Sequence, residues 1–329
     1  RDDRPALYRY HQIFRPPGDP DAAPVTRRGF IGLLRLHRFA ERIILPHERT
    51  LAGPKADRLK LKRATRCHLS QIFGLYDDPA QAIDAAFAES EAASPALHGR
   101  TSDGTEHRLW RVSDPAAIAA VAYHLRDKRV YIADGHHRYE TMLALRDELR
   151  AEPGYRGRDS IVEYGTFFLC NAADPGLLVF PTHRVVHSIP GGVDFTTVLR
   201  RAAERFIVEE RAAPPTHAPE VTATLAQKSQ VGPTFLFLAE GRAAYLTLRP
   251  DADLGDKLAG PAVVRRLDVS VLHALLIEDI LGIDRAAQEA MTHLHYIKDT
   301  GKALRAAADP ANQALFLMNP TPVSQVLAV

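Results

Sequence analysis

The sequence predicts an α+β protein with mixed β-sheets flanked by helices, and three observations indicate it. A hydrophobic fraction of 46% and a charged fraction of 25% are typical of a globular protein, and 329 residues can bury a large core. Residues 130–150 have the pattern of a strand, a tight turn and a helix. After Pro190 the strands are joined by Pro-, Ala- and Thr-rich connections, so we predict a first portion over 1–190 and a second over 191–329.

The first portion is predicted to contain both strands and helices. Residues 29–37 alternate loosely as a strand, and Pro54 suits the first turn of a helix. Asp103-Gly104 is the turn signal of a hairpin, and Asp114 is placed to cap the helix that follows. The hairpin is predicted at 101–112, further strands at 43–45, 72–76, 161–170 and 177–180, and helices at 54–66, 79–92 and 115–126.

The second portion is predicted to add a further set of strands and helices. Gly282 is placed to end a strongly apolar helix, and Asp299 to cap a later one. Helices are predicted at 195–205 and 267–281 and after Asp299, and strands at 206–210, 234–238, 243–248, 293–298 and 314–318.

The turn Asp134-Gly135-His136-His137-Arg138 is the main candidate for a functional site. It follows the strand at 130–132, and open α/β sheets bind ligands at the carboxyl ends of their strands. A helix that begins here directs unpaired N–H groups and the positive end of its dipole outward, and Arg138 adds a charge. Gly135 would let a phosphate approach the backbone. The alternative is that the two histidines only cap the helix or pack in the core.

Further motifs accompany this turn. The relevant stretches are Ile-Leu-Pro-His-Glu-Arg-Thr at 44–50, Ala-Thr-Arg at 64–66, Ile-Phe-Gly-Leu-Tyr-Asp-Asp at 72–78, Ala-Asp-Gly-His-His-Arg-Tyr-Glu-Thr at 133–141 and Phe-Pro-Thr-His-Arg at 180–184. Together they resemble the uncharacterised DUF1015 family over nearly the whole chain. The chain begins at Arg1 without the family's Pro-Tyr-Asp-Val-rich stretch and ends at Val329 before its Lys-Ser-Thr-x-Phe tail, and either segment can carry site residues.

The Asp-Gly-His-His-Arg box is also similar to the nucleotide-binding box of the ParB/sulfiredoxin-like superfamily, which includes ParB nucleotidases and free serine kinases. This similarity implies a ParB-like nucleotide-binding core over 1–190, with ATP or ADP and Mg²⁺ as cofactors. In free serine kinases a Glu upstream of the box is the catalytic carboxylate, and order along the chain matches it to Glu48. Members of the DUF1015 family are often encoded beside serine-biosynthesis genes, which implies small-molecule metabolism related to serine.

These expectations assign roles for nucleotide-dependent phosphoryl transfer to a small hydroxyl metabolite. Such transfer needs positioned phosphates, cations against their oxygens and a carboxylate for the acceptor hydroxyl. The predicted catalytic residues are Glu48, Asp134 and His137, the predicted nucleotide-binding residues are Arg49, Arg66, Gly135, His136, His137 and Arg138, and the predicted substrate-binding residues are His47, Thr182, His183 and Arg184. The alternative for Glu48 is a structural ion pair with Arg49 or Arg66.

Positive charge is concentrated between Arg27 and His68, a stretch that contains twelve Lys or Arg residues and three acidic residues. This favours a phosphate or polyanion nearby. Arg58, Lys62 and Arg66 fall at i, i+4 and i+8 on the predicted helix, a stripe that is also typical of a solvated face. The sequence disfavours nucleic acid as the polyanion, because it contains no helix-turn-helix spacing and no basic residues interleaved with aromatic ones.

Two other functions stay open at this point. A metal-dependent hydrolase would use Asp134, His136 or His137, and His183 as ligands, although adjacent residues in an extended turn tend to point apart. A nucleotide-gated binding module would move a partner surface without being an enzyme. Walker loops, Rossmann glycine fingerprints, nucleophile elbows and His-Glu-x-x-His helices are absent from the sequence.

The cellular setting is predicted from absences and from cysteine usage. The sequence contains no apolar run near 18 residues and no charged-then-apolar N-terminal segment, so we expect neither a membrane span nor a signal peptide. Cys67 and Cys170 are too few for a disulfide framework and are expected to be buried or half-buried thiols. The predicted location is the cytoplasm.

Overall fold

A computed structural model describes residues 2–16, 22–46, 52–192, 194–254, 258 and 265–328 of the chain. The fold consists of two compact units, one formed by Arg1–Arg15 and Ala23–Leu178 and the other by Pro16–Ala22 and Val179–Val329. One unit has a mixed sheet and the other an antiparallel sheet, and helices flank both. The predicted α+β class is therefore confirmed, whereas a domain boundary near residue 190 remains a prediction.

A mixed sheet forms the centre of the first unit. Its strands are β1 (Leu7–Phe14), β2 (Val25–Arg35), β3 (Ile44–Leu45), β4 (Ile72–Tyr76), β5 (Leu97–Arg100), β6 (Glu106–Val112), β7 (Val130–Asp134) and β8 (Tyr164–Asn171). Their order across the sheet is β3-β7-β4-β8-β2-β1-β6-β5. The pairs β3/β7 and β4/β8 are parallel, and the other neighbours are antiparallel. The carboxyl ends of β3 and β7 therefore lie at the same edge of the sheet.

Five α-helices of the first unit lie within the described residues. They are α1 (Ala52–Thr65), α2 (Ala82–Ala85), α3 (Ala88–Ala92), α4 (Pro115–Leu125) and α5 (His136–Leu149). Asp114 caps α4 as predicted, because its carboxylate accepts the Ala117 N–H at 2.8 Å. Buried side chains of α4 and α5, including Val121 and Tyr139, share one core with Phe30 and Ile132 of the sheet.

Two local predictions for this unit are wrong. Residues 79–92 form α2 and α3 instead of one helix, and the chain turns between them at Phe87, whose side chain is fully buried in the core. Residues 177–180 form no strand. Just before them, Gly176 packs tightly on β2, since an added Cβ would lie 1.9 Å from the Thr26 carbonyl oxygen. The apolar residues that follow Gly176 therefore pack without pairing as a strand.

An antiparallel sheet forms the centre of the second unit. Its strands are β9 (His183–Val186), β10 (Phe206–Arg211), β11 (Thr234–Ala239), β12 (Arg242–Leu248), β13 (Leu294–Ile297) and β14 (Ala314–Met318), in the order β10-β12-β11-β14-β9-β13. The helices are α6 (Phe195–Ala202), α7 (Ala218–Lys228), α8 (Asp268–Val271, continued by a π-helix over Leu272–Ile280), α9 (Arg285–Ala290), α10 (Thr300–Ala306) and α11 (Val323–Ala328).

The predicted helix signals of the second unit are confirmed. Gly282 follows the π-helix with φ +72°, and Asp299 caps α10 by accepting the Lys302 N–H at 2.6 Å. The sequence did not predict α7 or α9. No helix within the described ranges is long and apolar enough to cross a membrane.

Candidate functional site

The first turn of α5 begins where β7 ends. Asp134 is the last residue of β7, Gly135 is the N-cap with φ +99°, and His136 opens α5. Gly135 offers no side-chain cap to the first helical N–H groups. The strand, turn and helix are those that the sequence predicts.

Arg138 lies back across this turn. Its guanidinium donates to the Asp134 carboxylate, to the Gln71 carbonyl and, at 2.8 Å, to the Ser70 hydroxyl. The antiparallel register of β4 and β7 pairs Phe73 with Asp134 and so brings the residues before β4 to this corner. A Cβ added at Gly135 would lie 3.0 Å from Arg138 Nε and Nη2. The close approach that Gly135 permits is therefore made by the arginine in this structure, where we expected a ligand.

Lys62 of α1 is the second cation at this corner. Only 9% of the residue is exposed, and its ammonium donates to His68 Nδ1 at 3.0 Å. Burial, and to a smaller degree the charge of Arg138, lower the pKa of Lys62 to about 8. No carboxylate of the described residues forms an ion pair with Lys62. The corner therefore holds a buried cation whose charge has no described counterion.

The interpretation of the basic stripe as one solvated face is wrong, because its three residues differ. Arg58 and Arg66 are exposed, whereas Lys62 is buried where α1 packs against α5. An ion pair between Arg63 and Glu148, at 2.6 Å, joins the two helices. Arg66 lies just beyond the end of α1 with φ +51° and approaches Glu152 at 3.6 Å.

The environment of His68 also favours its neutral form. Desolvation, followed by the charge of Lys62, lowers the pKa of His68, and a backbone hydrogen bond at Tyr164 opposes this shift. A neutral His68 can accept the Lys62 proton at Nδ1, so it orients the ammonium without adding charge.

The two histidines of the turn have different surroundings. His136 is buried, with 3% of its surface exposed, and His137 is half-buried. The His137 carbonyl accepts the Thr141 hydroxyl within α5. Both histidines make contacts inside the protein. Their roles in nucleotide binding and catalysis remain predictions.

The strand β3 approaches the same corner. Leu45 pairs with Tyr131 of β7, and the parallel direction of the two strands carries Pro46 toward the edge where Asp134 lies. His47, Glu48, Arg49 and Thr50 lie outside the described residues, so their predicted roles remain predictions.

Thr182, His183 and Arg184 belong to the second unit, where His183 and Arg184 are the first two residues of β9. His183 is 1% exposed; its Nδ1 accepts the Met318 N–H at 3.3 Å, and its Nε2 is 3.0 Å from the Thr300 hydroxyl. Burial, with a contribution from the Arg184 charge, lowers the pKa of His183 to about 4. A neutral histidine that is hydrogen-bonded at both nitrogens is typical of a structural residue.

Arg184 is also engaged within the second unit. Its Nε and Nη2 lie 3.0 and 2.8 Å from His273 Nε2, its Nη1 donates to the Thr182 carbonyl, and its guanidinium lies 4.9 Å from the Tyr296 ring centroid. Because His273 Nε2 accepts from Arg184, His273 Nδ1 carries the proton and donates to Gln288. The substrate-binding roles of Thr182, His183 and Arg184 remain predictions.

The described residues give no support to a metal-ligand cluster. Within them, no three His, Cys, Asp or Glu side chains are grouped so that they could hold one metal ion. The hydrolase alternative, with Asp134, His136 or His137, and His183, therefore lacks a described ligand set.

Sequence reasoning missed three side chains of this corner: Lys62 as a buried cation, His68 and Ser70. The helical stripe through Lys62 was a usable signal, but burial of one of its members depends on how α1 packs against α5. Ser70 and His68 carry no local pattern, and they reach the corner through the loop between α1 and β4.

A family model described as "Protein of unknown function (DUF1015)" matches residues 1–270. No curated protein is significantly similar in sequence. Among solved structures, a conserved hypothetical protein from Pyrococcus furiosus has 12% identity and a TM-score of 0.39, with 91% of this chain and 83% of that chain covered. Free serine kinase in complex with AMP has 12% identity and a TM-score of 0.41, with 96% and 84% covered. Values this low transfer no activity to the chain.

Proposed function

The chain belongs to the DUF1015 family, and from the geometry of its first unit we propose that it binds nucleotide phosphates and transfers a phosphoryl group to a small hydroxyl metabolite. The observation that carries this proposal is the corner formed by Lys62, Arg138 and the start of α5. A buried ammonium without a described counterion is costly, and an anion bound there would offset that cost.

The chemistry of phosphates suits this corner. The N-terminus of α5 offers backbone N–H groups and a partial positive charge, and Arg138 and Lys62 can add charge-assisted hydrogen bonds. We assign the nucleotide phosphates, of ATP or ADP, to this place. His136 and His137, in the first turn, are the further proposed contacts, within a ParB-like core.

The proposed transfer step needs a base for the acceptor hydroxyl. The acceptor oxygen forms a bond to the terminal phosphorus, the bond from that phosphorus to the bridging oxygen breaks, and the shortened nucleotide leaves with the electron pair. Glu48 takes the hydroxyl proton in this proposal. Glu48 follows β3 by three positions, and β3 ends beside β7 at the edge that carries Asp134.

Mg²⁺ is expected to enter with the nucleotide. Such ions are bound by one or two carboxylates, by water and by phosphate oxygens, so a full protein cage is not needed. The carboxylate of Asp134 fits this requirement, because 72% of its side chain is exposed at the corner. When bound, Mg²⁺ would neutralise charge on the phosphates.

The proposal is tested by calorimetric titration of ADP and ATP, with and without Mg²⁺. Lys62→Met and Arg138→Ala should each weaken binding by about tenfold or more, since each removes a charge-assisted bond. Lys60→Met is the matched control, because Lys60 is an exposed lysine of the same helix. Equal nucleotide affinities in the wild type and the three variants would overturn the proposal that phosphates bind at this corner. Tight binding without transfer or hydrolysis would instead identify a nucleotide-gated binding module.

A further inference from the structure

A cleft of about 460 Å³ runs along the flank of α5 in the first unit. Most of its wall is apolar. The apolar lining residues are Leu36, Met142, Leu145, Leu149, Ile161, Val162 and Tyr164. Ile161, on this wall, is 67% exposed.

One end of this cleft is cationic. Lys62 and Arg66 line it there, together with the neutral ring of His68 and the exposed thiol of Cys67, which we had expected to be buried or half-buried. Lys62 and Met142 also line the small pocket that contains Arg138 and Ser70. The cleft and the phosphate corner therefore adjoin at Lys62 and Met142.

Arg146, another polar residue of the wall, already has hydrogen-bond partners. Arg146 donates from Nη1 to the Leu36 carbonyl at 2.7 Å and from Nε and Nη2 to Asp147 at 3.1 and 3.0 Å. The body of the cleft thus offers few free hydrogen-bonding groups, whereas its end offers positive charge. A ligand that matches it has an apolar body and one anionic or hydroxyl end.

We propose that the phosphoryl acceptor is an alcohol with an apolar body, which lies in this cleft with its hydroxyl at Lys62, where the phosphate of the product monoester would remain. This inference rests on the proposed phosphoryl transfer. The volume suits a body on the order of ten non-hydrogen atoms, since a water molecule occupies about 30 Å³ in the liquid. A serine-sized acceptor would leave most of the apolar wall unfilled.

The test compares three product analogues by calorimetry: phenyl phosphate, phosphoserine and inorganic phosphate. Phenyl phosphate should bind roughly tenfold to a hundredfold more tightly than the other two, because its ring removes apolar surface from water. Leu145→Trp, which fills the cleft, should abolish that advantage. Ala144→Trp, at the preceding position of α5 and outside the cleft lining, should retain it. Phosphoserine binding as tightly as phenyl phosphate would overturn the proposal.

A second variant pair guards against loss of folding at position 145. Ile161→Asp places a charge at the exposed part of the wall and should weaken phenyl phosphate binding by about tenfold or more. Leu97→Asp, at a similarly exposed apolar position on β5, should not weaken it.

ADP binding separates the two proposals. If wild type binds ADP and the Leu145 and Ile161 variants leave phenyl phosphate affinity unchanged, the proposed acceptor class is wrong and the proposed phosphate binding stands. If wild type binds neither ADP nor any analogue, the phosphate corner itself is wrong.

Discussion

Lys62 of α1 and Arg138 of α5 place two positive charges at one pocket, and the charge of Arg138 adds to the effect of burial in lowering the pKa of Lys62 to about 8. Two cations are brought together at an energetic cost unless an anion joins them. Arg138 is already paired with Asp134, whereas Lys62 donates only to the neutral ring of His68 among the described residues.

Nucleotide affinity should fall as the pH rises through about 8. Lys62 is protonated below its folded pKa of about 8 and loses its charge above it, so the attraction for phosphate is present below that pH and lost above it. Calorimetric titration of ADP between pH 6.5 and 9.5 measures this. In Lys62→Met the fall near pH 8 should disappear, and in Lys60→Met it should remain. A wild-type affinity that is constant across the range would contradict the role of Lys62.

Gly135→Ala should cost on the order of 1–2 kcal/mol of unfolding free energy and also weaken nucleotide binding. A Cβ at φ +99° is strained, and it would press on the Arg138 guanidinium at 3.0 Å. Gly104→Ala is the control, since Gly104 has φ +85° with open space around it. Denaturant unfolding of both variants should show a similar loss of stability, and only Gly135→Ala should bind ADP less tightly. Unchanged ADP binding in Gly135→Ala would show that the position of Arg138 is irrelevant to the ligand.

Glu48→Gln should bind nucleotide nearly normally and transfer phosphate about 10²- to 10⁴-fold more slowly, as expected when a general base is removed. Single-turnover rates at saturating nucleotide measure this effect. If Glu48 only neutralises Arg49 or Arg66, stability and nucleotide affinity should fall together while the saturated rate is spared. Arg66 already approaches Glu152 at 3.6 Å, which weakens that alternative for Arg66.

The second unit should lose stability as the pH falls from about 6.5 to about 4. His183 is buried and His273 is half-buried, and both have pKa values lowered to about 4, so in this window the unfolded chain binds protons that the folded unit excludes. Thermal unfolding followed across this pH range measures the loss. His183→Asn should flatten the dependence, and His217→Asn, at an exposed position before α7, should leave it unchanged. An equal slope in wild type and His183→Asn would refute the buried neutral state.

Local patterns predicted much of the fold. The bounds of β4 and β14 match the predicted residues 72–76 and 314–318, because short β-branched and aromatic runs between clear stops leave few alternatives. Residues 177–180 have a similar apolar run and form no strand. Their environment is set by the approach of Gly176 to Thr26, which are far apart in sequence.

The candidate site was predicted in part. The turn Asp134 to Arg138 was recognisable because strand, glycine and helix follow directly in sequence. The burial of Lys62 was not, because a lysine in a helical stripe has the same local pattern whether it faces water or another helix. His183 was grouped with the site because it belongs to a polar cluster that follows the predicted strand at 177–180. Its partners Thr300 and Met318 lie far along the chain, in α10 and β14 of the second unit, so local sequence could not indicate them.

The most direct test of the phosphate corner is the pKa of Lys62 itself, measured by NMR of the lysine side-chain nitrogen in the free protein and in the protein saturated with ADP. Lys62→Met assigns the signal by its disappearance. In the free protein the ammonium should titrate near pH 8, and contact with phosphate should raise its pKa by at least about one unit, since an opposite charge within a few ångströms favours the charged form. A Lys62 that titrates at the same pH in the free and the ADP-saturated protein would contradict the proposal that nucleotide phosphates bind at this corner.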